Sequence, residues 1–429
     1  MDNGIFRDYV KYVSLNILGM IGLSCYILVD TFFVAKALQA VGIAALNFSI
    51  PIYSVIHGIG LMIAIGGSTR YSILKSQNQE EKANNIFTHC IILGIVIGAL
   101  FVLAGLFGST QIATLMGAEG TTLPLTKVYL TTILCFAPCY ILNNIILAYV
   151  RNDNNPKLSM IGMLAGSFSN IVLDYIFMFI LNMGMFGAAF ATGLAPIISL
   201  GILSIHFIRR KNNFRMVRIK LIRATIRDIF SLGLSAFINE ISTAVVLITF
   251  NLVILKMEGY LGVAAYGIVA NLSLVGISVF TGIAQGIQPL VSKGYGENNQ
   301  LLLKKVLKYA MITSLVIATV IYLLTSLYSV GLIQIFNSDQ NQVIAKLSMT
   351  GLRIYFIGFF FAGINIVITM YDSAVEQANR AFALSILRGC LIIVPMVFVL
   401  SSVWRMTGIW LSFVVTEAIV CVIALSKVR

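Results

Sequence analysis

Long apolar runs separated by short polar segments make up most of the chain. A bilayer core needs roughly 20 apolar residues per helix, and residues 309–336 contain no charged residue. Residues 175–208 contain none either and divide at Asn182-Met183-Gly184. Membrane strands are shorter and alternate, so the pattern excludes them. It predicts twelve membrane-spanning helices: 12–34, 41–66, 86–108, 127–149, 158–181, 187–208, 229–254, 262–290, 306–332, 348–371, 381–401 and 406–426.

The composition narrows the protein class further. Hydrophobic residues form 59% of the 429 residues and charged residues only 10%, with a mean hydropathy of +0.95. A soluble domain carries about 25% charged residues, so a cytosolic enzyme, a secreted disulfide scaffold and a disordered chain are excluded. The net charge of +13 does not indicate nucleic-acid binding, because the basic residues lie between apolar runs and not on one patch.

The placement of these basic residues predicts the topology. With both termini in the cytoplasm, 23 of the 29 Lys and Arg residues lie on the cytoplasmic side and 6 lie outside, as the positive-inside rule requires. The largest basic group lies at the midpoint of the chain and is interpreted as a topology anchor along the lipid headgroups. Its members are Arg209, Arg210, Lys211, Arg215, Arg218, Lys220, Arg223 and Arg227.

The two halves of the chain resemble each other. The pattern predicts an all-α integral membrane protein with two pseudo-symmetric six-helix bundles around a central cavity, an architecture typical of transporters. The predicted domains are an N-terminal lobe (1–208), a basic cytoplasmic linker (209–228) and a C-terminal lobe (229–429). The matching positions are Val41-Gly42-Ile43-Ala44-Ala45 with Leu261-Gly262-Val263-Ala264-Ala265, Ser72 with Ser292, Asn78 with Asn298, and Met185-Phe186-Gly187 with Met406-Thr407-Gly408.

Ionisable residues inside membrane spans are costly and indicate function. Asp30 and Asp174 lie at similar depths in spans one and five, and Thr192 in span six reaches the same level. Asn170 lies one turn from Asp174, and Tyr26 one turn from Asp30. These five residues predict a cation-coupling site, in which the acids hold H⁺ or Na⁺ and the neutral groups supply oxygen ligands. The alternative is a set of interhelical hydrogen bonds, for which two carboxylates are not needed.

Acids in the second half are candidates for binding a cationic substrate. Glu240 and Glu417 lie near the middle of spans seven and twelve, without an evident basic partner. Asp372 is a third candidate, although it and Glu376 lie at the cytoplasmic end of span ten, where both are expected to reach water. His57 is expected to be a neutral, hydrogen-bonded histidine.

Several motifs resemble the multidrug and toxic compound extrusion (MATE) family of bacterial transporters. Their order and spacing extend over nearly the whole chain. The resemblance implies two six-helix lobes that alternate between outward- and inward-facing states. The motifs are Val29-Asp30-Thr31-Phe32-Phe33-Val34, Arg151-Asn152-Asp153-Asn154-Asn155-Pro156-Lys157, Asn170-x-x-x-Asp174, Gln285-Gly286-Ile287-Gln288-Pro289-Leu290-Val291, Gly294-Tyr295-Gly296, Gly408-Ile409-Trp410 and Glu417.

The resemblance also implies a role for the ionisable and polar residues inside the predicted spans. The family's N-lobe cation site corresponds to Asp30, Asn170, Asp174 and Thr192, and these would be the metal ligands if the coupling ion is Na⁺. Tyr26 matches a neighbouring tyrosine. The chain departs from the family in span one, where Ser14-Leu15-Asn16 replaces the usual proline, so coupling by a proline bend is not implied here.

We therefore expect an antiporter that exports small organic cations in exchange for H⁺ or Na⁺, with no other cofactor. It is expected to be a monomer in the bacterial cytoplasmic membrane, in contact with membrane lipids and not with nucleic acid. The alternatives are a flippase for lipid-linked saccharides, a channel and an intramembrane enzyme. An enzyme is not predicted, since His57, His89 and His206 share no ligand spacing and no HExxH or GxSxG motif occurs.

Overall fold

Helices account for all regular secondary structure in the part of the chain that the computed structural model describes, residues 2–218, 221–336 and 341–426. Nine of these helices are long and apolar enough to cross a membrane, and a bent pair makes a tenth span. The helix Arg223–Gly296 and the stretch Ala378–Ser426 each contain a reversal and so form two spans apiece. The predicted all-α architecture of twelve spans is confirmed.

The spans are numbered in chain order. Span 1 is Gly4–Gln39, span 2 Val41–Ser76, span 3 Glu80–Leu115, span 4 Thr122–Cys135 with Ala137–Asn152, span 5 Pro156–Ile180 and span 6 Gly184–Ile208. Spans 7 and 8 are residues 223–258 and 260–296, span 9 is Gln300–Leu327, span 10 Gln342–Ala374, and spans 11 and 12 are residues 378–403 and 406–426.

Most spans are longer than the apolar runs predicted. Span 2, for example, continues ten residues past its predicted end at 66 to Ser76, because backbone hydrogen bonding continues after the side chains become polar. The linker is correspondingly shorter, since span 7 begins at Arg223. Lys220, in the predicted basic anchor, lies outside the described residues.

Tight turns at one end of the molecule explain the sequence repeat. Spans 1 and 2, 7 and 8, and 11 and 12 are joined by single residues with positive φ, namely Gln39, Gly259 and Arg405. Three residues after each turn a glycine contacts the residue eight positions before it, which would lie about 12 Å away in a straight helix. A Cβ atom on Gly42, Gly262 or Gly408 would lie 3.3 Å from Val34, 2.8 Å from Ile254 or 1.9 Å from Leu400.

Two large hydrophobic cores occupy the two halves of the chain. The buried members of the first lie between Met20 and Ile229. The second contains residues 250–413, together with Tyr9 and Val13 from the start of span 1. Span 1 therefore begins against the second half and ends in the first. The domain boundaries at 208 and 228 stay a prediction.

The two halves meet at the end of the molecule that carries the basic linker, called the basic end below. A Cβ on Gly66 of span 2 would lie 1.9 Å from the carbonyl oxygen of Ile229, and one on Gly286 of span 8 would lie 2.8 Å from the Cα of Val13. Spans 2 and 7, and likewise spans 8 and 1, thus touch backbone to backbone, as small residues permit.

Polar contacts join the halves in the same region. They extend from the middle of the spans to the basic end. The pairs are His57–Glu240 (3.5 Å), Tyr9–Thr313 (2.7 Å), Thr69–Gln288 (3.0 Å), Arg151–Gln285 (2.9 Å), Asn152–Gln288 (2.8 Å) and Arg70–Glu376.

Candidate cation site

Two buried acids of spans 1 and 5 face each other in the first half. Asp30 and Asp174 are 7% and 0% exposed, and their carboxyl groups lie close enough to interact directly. Two neighbouring carboxylates in a low-dielectric site resist ionising together. Oδ1 of each residue has no hydrogen-bond partner within the described part of the chain. The pair can therefore take up or release a positive ion.

Asn170 and Thr192 connect Asp174 to span 6. With its amide turned to satisfy both of its polar atoms, Asn170 donates to Asp174 Oδ2 at 3.0 Å and accepts from the Thr192 backbone N–H at 3.2 Å. The Thr192 hydroxyl donates to the carbonyl of Ala188 at 2.9 Å. The four residues of the predicted set thus adjoin one another, while their role in binding a cation stays a prediction.

Tyrosines form the wall beside these acids. Tyr26 does not hydrogen-bond to either acid, because its hydroxyl pairs with that of Tyr53 at 3.2 Å. Span 4 contributes Tyr129, which lies near Thr192, and Tyr140, which donates to the Thr192 carbonyl at 2.6 Å. Sequence reasoning missed the span 4 tyrosines. Their spacing of eleven residues, three helical turns, was the available signal.

A short π-helix follows directly on Asp174. Residues Ile176–Ile180 adopt this wider form, and the Leu181 N–H reaches the Ile176 carbonyl at 2.9 Å. Such segments are rare and occur frequently at functional sites. A second one, Leu387–Leu391 in span 11, contains Arg388. Both π-helices therefore adjoin or contain an ionisable residue.

Glu417 has a basic partner, and the expectation that it lacks one is wrong. Arg388 Nε contacts Glu417 Oε1 at 2.5 Å, and Asn365 donates to Oε2 at 2.7 Å. Glu417 is 2% exposed. Arg388 lies within the predicted span 381–401 and ten residues inside the helical stretch that begins at Ala378, but the spacing of apolar runs did not reveal that it pairs with Glu417.

Glu240 also has a partner, across the interface between the halves. Its Oε1 lies 3.5 Å from Nδ1 of His57, which is long for a hydrogen bond. The His57 ring stacks on Tyr53 at 5.9 Å, and Tyr53 contacts Tyr26. A chain of polar and aromatic contacts thus connects Glu240 to the wall of the first-half site. The expected hydrogen-bonded core histidine is corrected to one that faces an acid.

Asp372 does not reach water as expected. Its side chain is 1% exposed and lies 3.2 Å from Arg380, because the end of span 10 is covered by the start of span 11. Glu376, four residues on, is about 29% exposed and pairs with Arg70 of span 2. The two acids therefore belong to the closed basic end.

A multi-span helical protein with two similar halves and ionisable side chains buried in its spans belongs to the class of membrane transporters. The family follows from the sequence. A family model described as MatE matches residues 16–176 and 236–399. The chain belongs to the MATE family of transporters.

Relatives and solved structures agree with this assignment. The chain is 29% identical to the multidrug export protein MepA of Staphylococcus saprophyticus subsp. saprophyticus, over 98% of this chain and 93% of that protein. It is 28% identical to the multidrug export protein MepA of Staphylococcus aureus, over 98% and 92%. The fold matches that of a multidrug resistance MATE family transporter in its outward-facing conformation, with a TM-score of 0.92 and 22% identity over 98% and 94% of the two chains.

Proposed function

We propose that this protein exports small organic cations by antiport, with the coupling ion bound between Asp30 and Asp174. The single observation that carries the proposal is the pair of neighbouring buried carboxyl groups, each with one oxygen that has no hydrogen-bond partner in the described part of the chain, since such a pair needs one positive ion to be stable in a low-dielectric site. The relatives named multidrug export proteins support the same cargo class.

The arrangement favours H⁺ over Na⁺ as the coupling ion. Sodium, a hard cation, needs several oxygen ligands. Asn170 presents its amide N–H to Asp174 and not its oxygen. Two facing carboxyl groups with an amide donor suit a shared proton. No organic cofactor enters this scheme.

The closed basic end supports an outward-facing state of the transporter. We place this end and both termini in the cytoplasm of a bacterium, with the protein as a monomer in the cytoplasmic membrane. The contacts of Arg70, Arg151 and Asn152 across the halves then close the cytoplasmic side. In this scheme the side of the molecule beyond His57 and Glu240 faces outward, where a proton enters and cargo leaves. Glu240 is the acid in the best position to contact a cationic cargo.

Replacing one acid tests the proposal. Asp174→Asn keeps the size and the hydrogen bonds but removes the ionisable group, so we expect the purified variant to fold and to lose ethidium transport driven by a pH gradient by at least about 100-fold. Transport is measured in proteoliposomes, with pH and Na⁺ gradients imposed separately. Asp8→Asn, the same change at an exposed residue of span 1, is the control. Full pH-driven transport by Asp174→Asn would refute the proposal, and transport driven by Na⁺ alone would refute H⁺ as the ion.

A further inference from the structure

A groove at the basic end, between the start of span 5 and the end of span 6, is unrelated to the cation site. It encloses about 300 Å³. Three cationic side chains and three aliphatic ones line it: Lys157, Arg209, Lys211, Leu158, Ile161 and Ile205. The cations lie at the start of span 5 or just after the end of span 6, Leu158 directly follows Lys157, and Ile161 and Ile205 lie about one turn inside these helices. The lining is therefore amphipathic along the membrane normal.

The positive charge of this groove is not balanced locally. Lys157, Arg209 and Lys211 are exposed, and none has a carboxylate partner among residues 2–218, 221–336 and 341–426. The nearby acid, Asp153, is buried and already engaged in hydrogen bonds. Its oxygens accept from His206 Nε2 at 2.9 Å, from the Asn213 N–H at 2.8 Å and from Asn213 Nδ2 at 2.9 Å.

The groove is also held in shape by buried contacts. His206, 2% exposed, lines the groove and contacts Asp153 through one ring nitrogen and Asn155 Nδ2 through the other, at 3.3 Å. Asn155 in turn caps span 5 by accepting from the Leu158 N–H at 3.2 Å. The linker is fixed by Phe214, which is fully buried against Phe87 at 4.7 Å between ring centroids. The backbones that carry the three cations therefore form one connected unit.

From these contacts we infer that this groove binds the headgroup of one anionic phospholipid from the leaflet at the basic end. The positive charges of these three side chains attract the negative charge of a lipid phosphate. The aliphatic residues lead onto a lipid-facing surface where Ile161 is 38% exposed and Ile208 75% exposed, so an acyl chain has an apolar path away from the headgroup. A soluble phosphate compound would use the cations and leave this path unused.

The test compares binding of lipid by purified protein in a neutral detergent. We expect phosphatidylglycerol to raise the thermal unfolding midpoint and to appear as one retained lipid in native mass spectrometry, with phosphatidylethanolamine and glycerol phosphate giving much smaller effects. The triple variant Lys157→Gln/Arg209→Gln/Lys211→Gln should bind phosphatidylglycerol about tenfold or more weakly, as expected for losing three contacts of a cation with a lipid phosphate.

A matched triple variant separates a discrete site from general attraction by net charge. Arg215→Gln/Arg218→Gln/Arg223→Gln removes the same charge from exposed residues of the same region that do not line the groove, and it should bind phosphatidylglycerol as the parent does. Equal weakening in both triple variants, an equal response to glycerol phosphate, or no lipid response in the parent would each overturn the inference. Binding is measured without transport, so failure here leaves the antiport proposal standing, and the reverse also holds.

Discussion

Asp174 and Glu417 are both buried carboxylic acids, but they differ in how their charge is balanced. Asp174 faces a second acid and an amide donor, so only an exchangeable ion can balance the pair. Glu417 contacts the fixed cation Arg388 and the Asn365 amide, so its charge is balanced permanently. The first arrangement is suited to the exchange of an ion, and the second is suited to stabilising the fold.

This difference predicts different effects of substitution at the two acids. Arg388→Met leaves the Glu417 carboxylate buried without its cation, and breaking a buried pair in this way costs about 3–5 kcal/mol. We expect a clearly lower thermal unfolding midpoint for this variant in detergent, whereas Asp174→Asn should unfold close to the parent. The double variant Arg388→Met/Glu417→Met should recover most of the loss. An unchanged midpoint for Arg388→Met would show that the ion pair contributes little.

Counting residues along the helices predicted correctly that the two acids of the first half lie at the same depth, because a helix rises by a constant 1.5 Å per residue. The same count placed Asn170 and Thr192 beside Asp30 and Asp174. The same counting could not find Arg70–Glu376, whose partners are 306 residues apart. That contact depends on how the two halves pack against each other, which the spacing of apolar runs does not contain.

At the scale of elements, the repeated glycines are required by the turns that join consecutive spans. Gly408 lies where any Cβ would be 1.9 Å from the Leu400 carbonyl oxygen. The match of Met406-Thr407-Gly408 with Met185-Phe186-Gly187 has a structural origin, since a Cβ on Gly187 would also lie 3.1 Å from the backbone of Phe177. The repeat in the sequence thus marks sharp reversals between consecutive helices.

We expect Gly408→Ala to destabilise the protein. The added methyl group forces spans 11 and 12 apart, an overpacking effect of about 1–3 kcal/mol, and should lower the unfolding midpoint in detergent. Gly201→Ala in span 6 is the control, because a Cβ there meets no atom within 4 Å and alanine favours the helix. Equal behaviour of the two variants would mean that the turn adapts without strain.

For the whole molecule, the contacts at the basic end determine how often this end opens relative to the opposite end. Arg70 and Glu376 are about 30% and 29% exposed, so their attraction alone is worth about 0.2–1 kcal/mol. It acts together with the hydrogen bonds that Arg151 and Asn152, at the end of span 4, donate to Gln285 and Gln288. Reversing one charge replaces attraction by repulsion without altering the cation site at Asp30 and Asp174.

Arg70→Glu should therefore open the basic end more often. Ser292, fully buried near Gln288 in span 8, serves as a reporter when changed to Cys in a background without the six native cysteines. We expect Arg70→Glu to increase the rate at which a water-soluble maleimide labels the cysteine at position 292 several-fold. Arg70→Glu/Glu376→Arg should return this rate to that of the Ser292→Cys protein without charge changes. An unchanged labelling rate in both variants would contradict a closing role for this ion pair.

Where Gly66 and Gly233 let spans 2 and 7 touch through their main chains, neither residue places a side chain between the two helices. A complete reversal of a two-state population needs only about 5.5 kcal/mol. A larger residue at either glycine would hold the two helices apart and so shift the balance of the whole transporter.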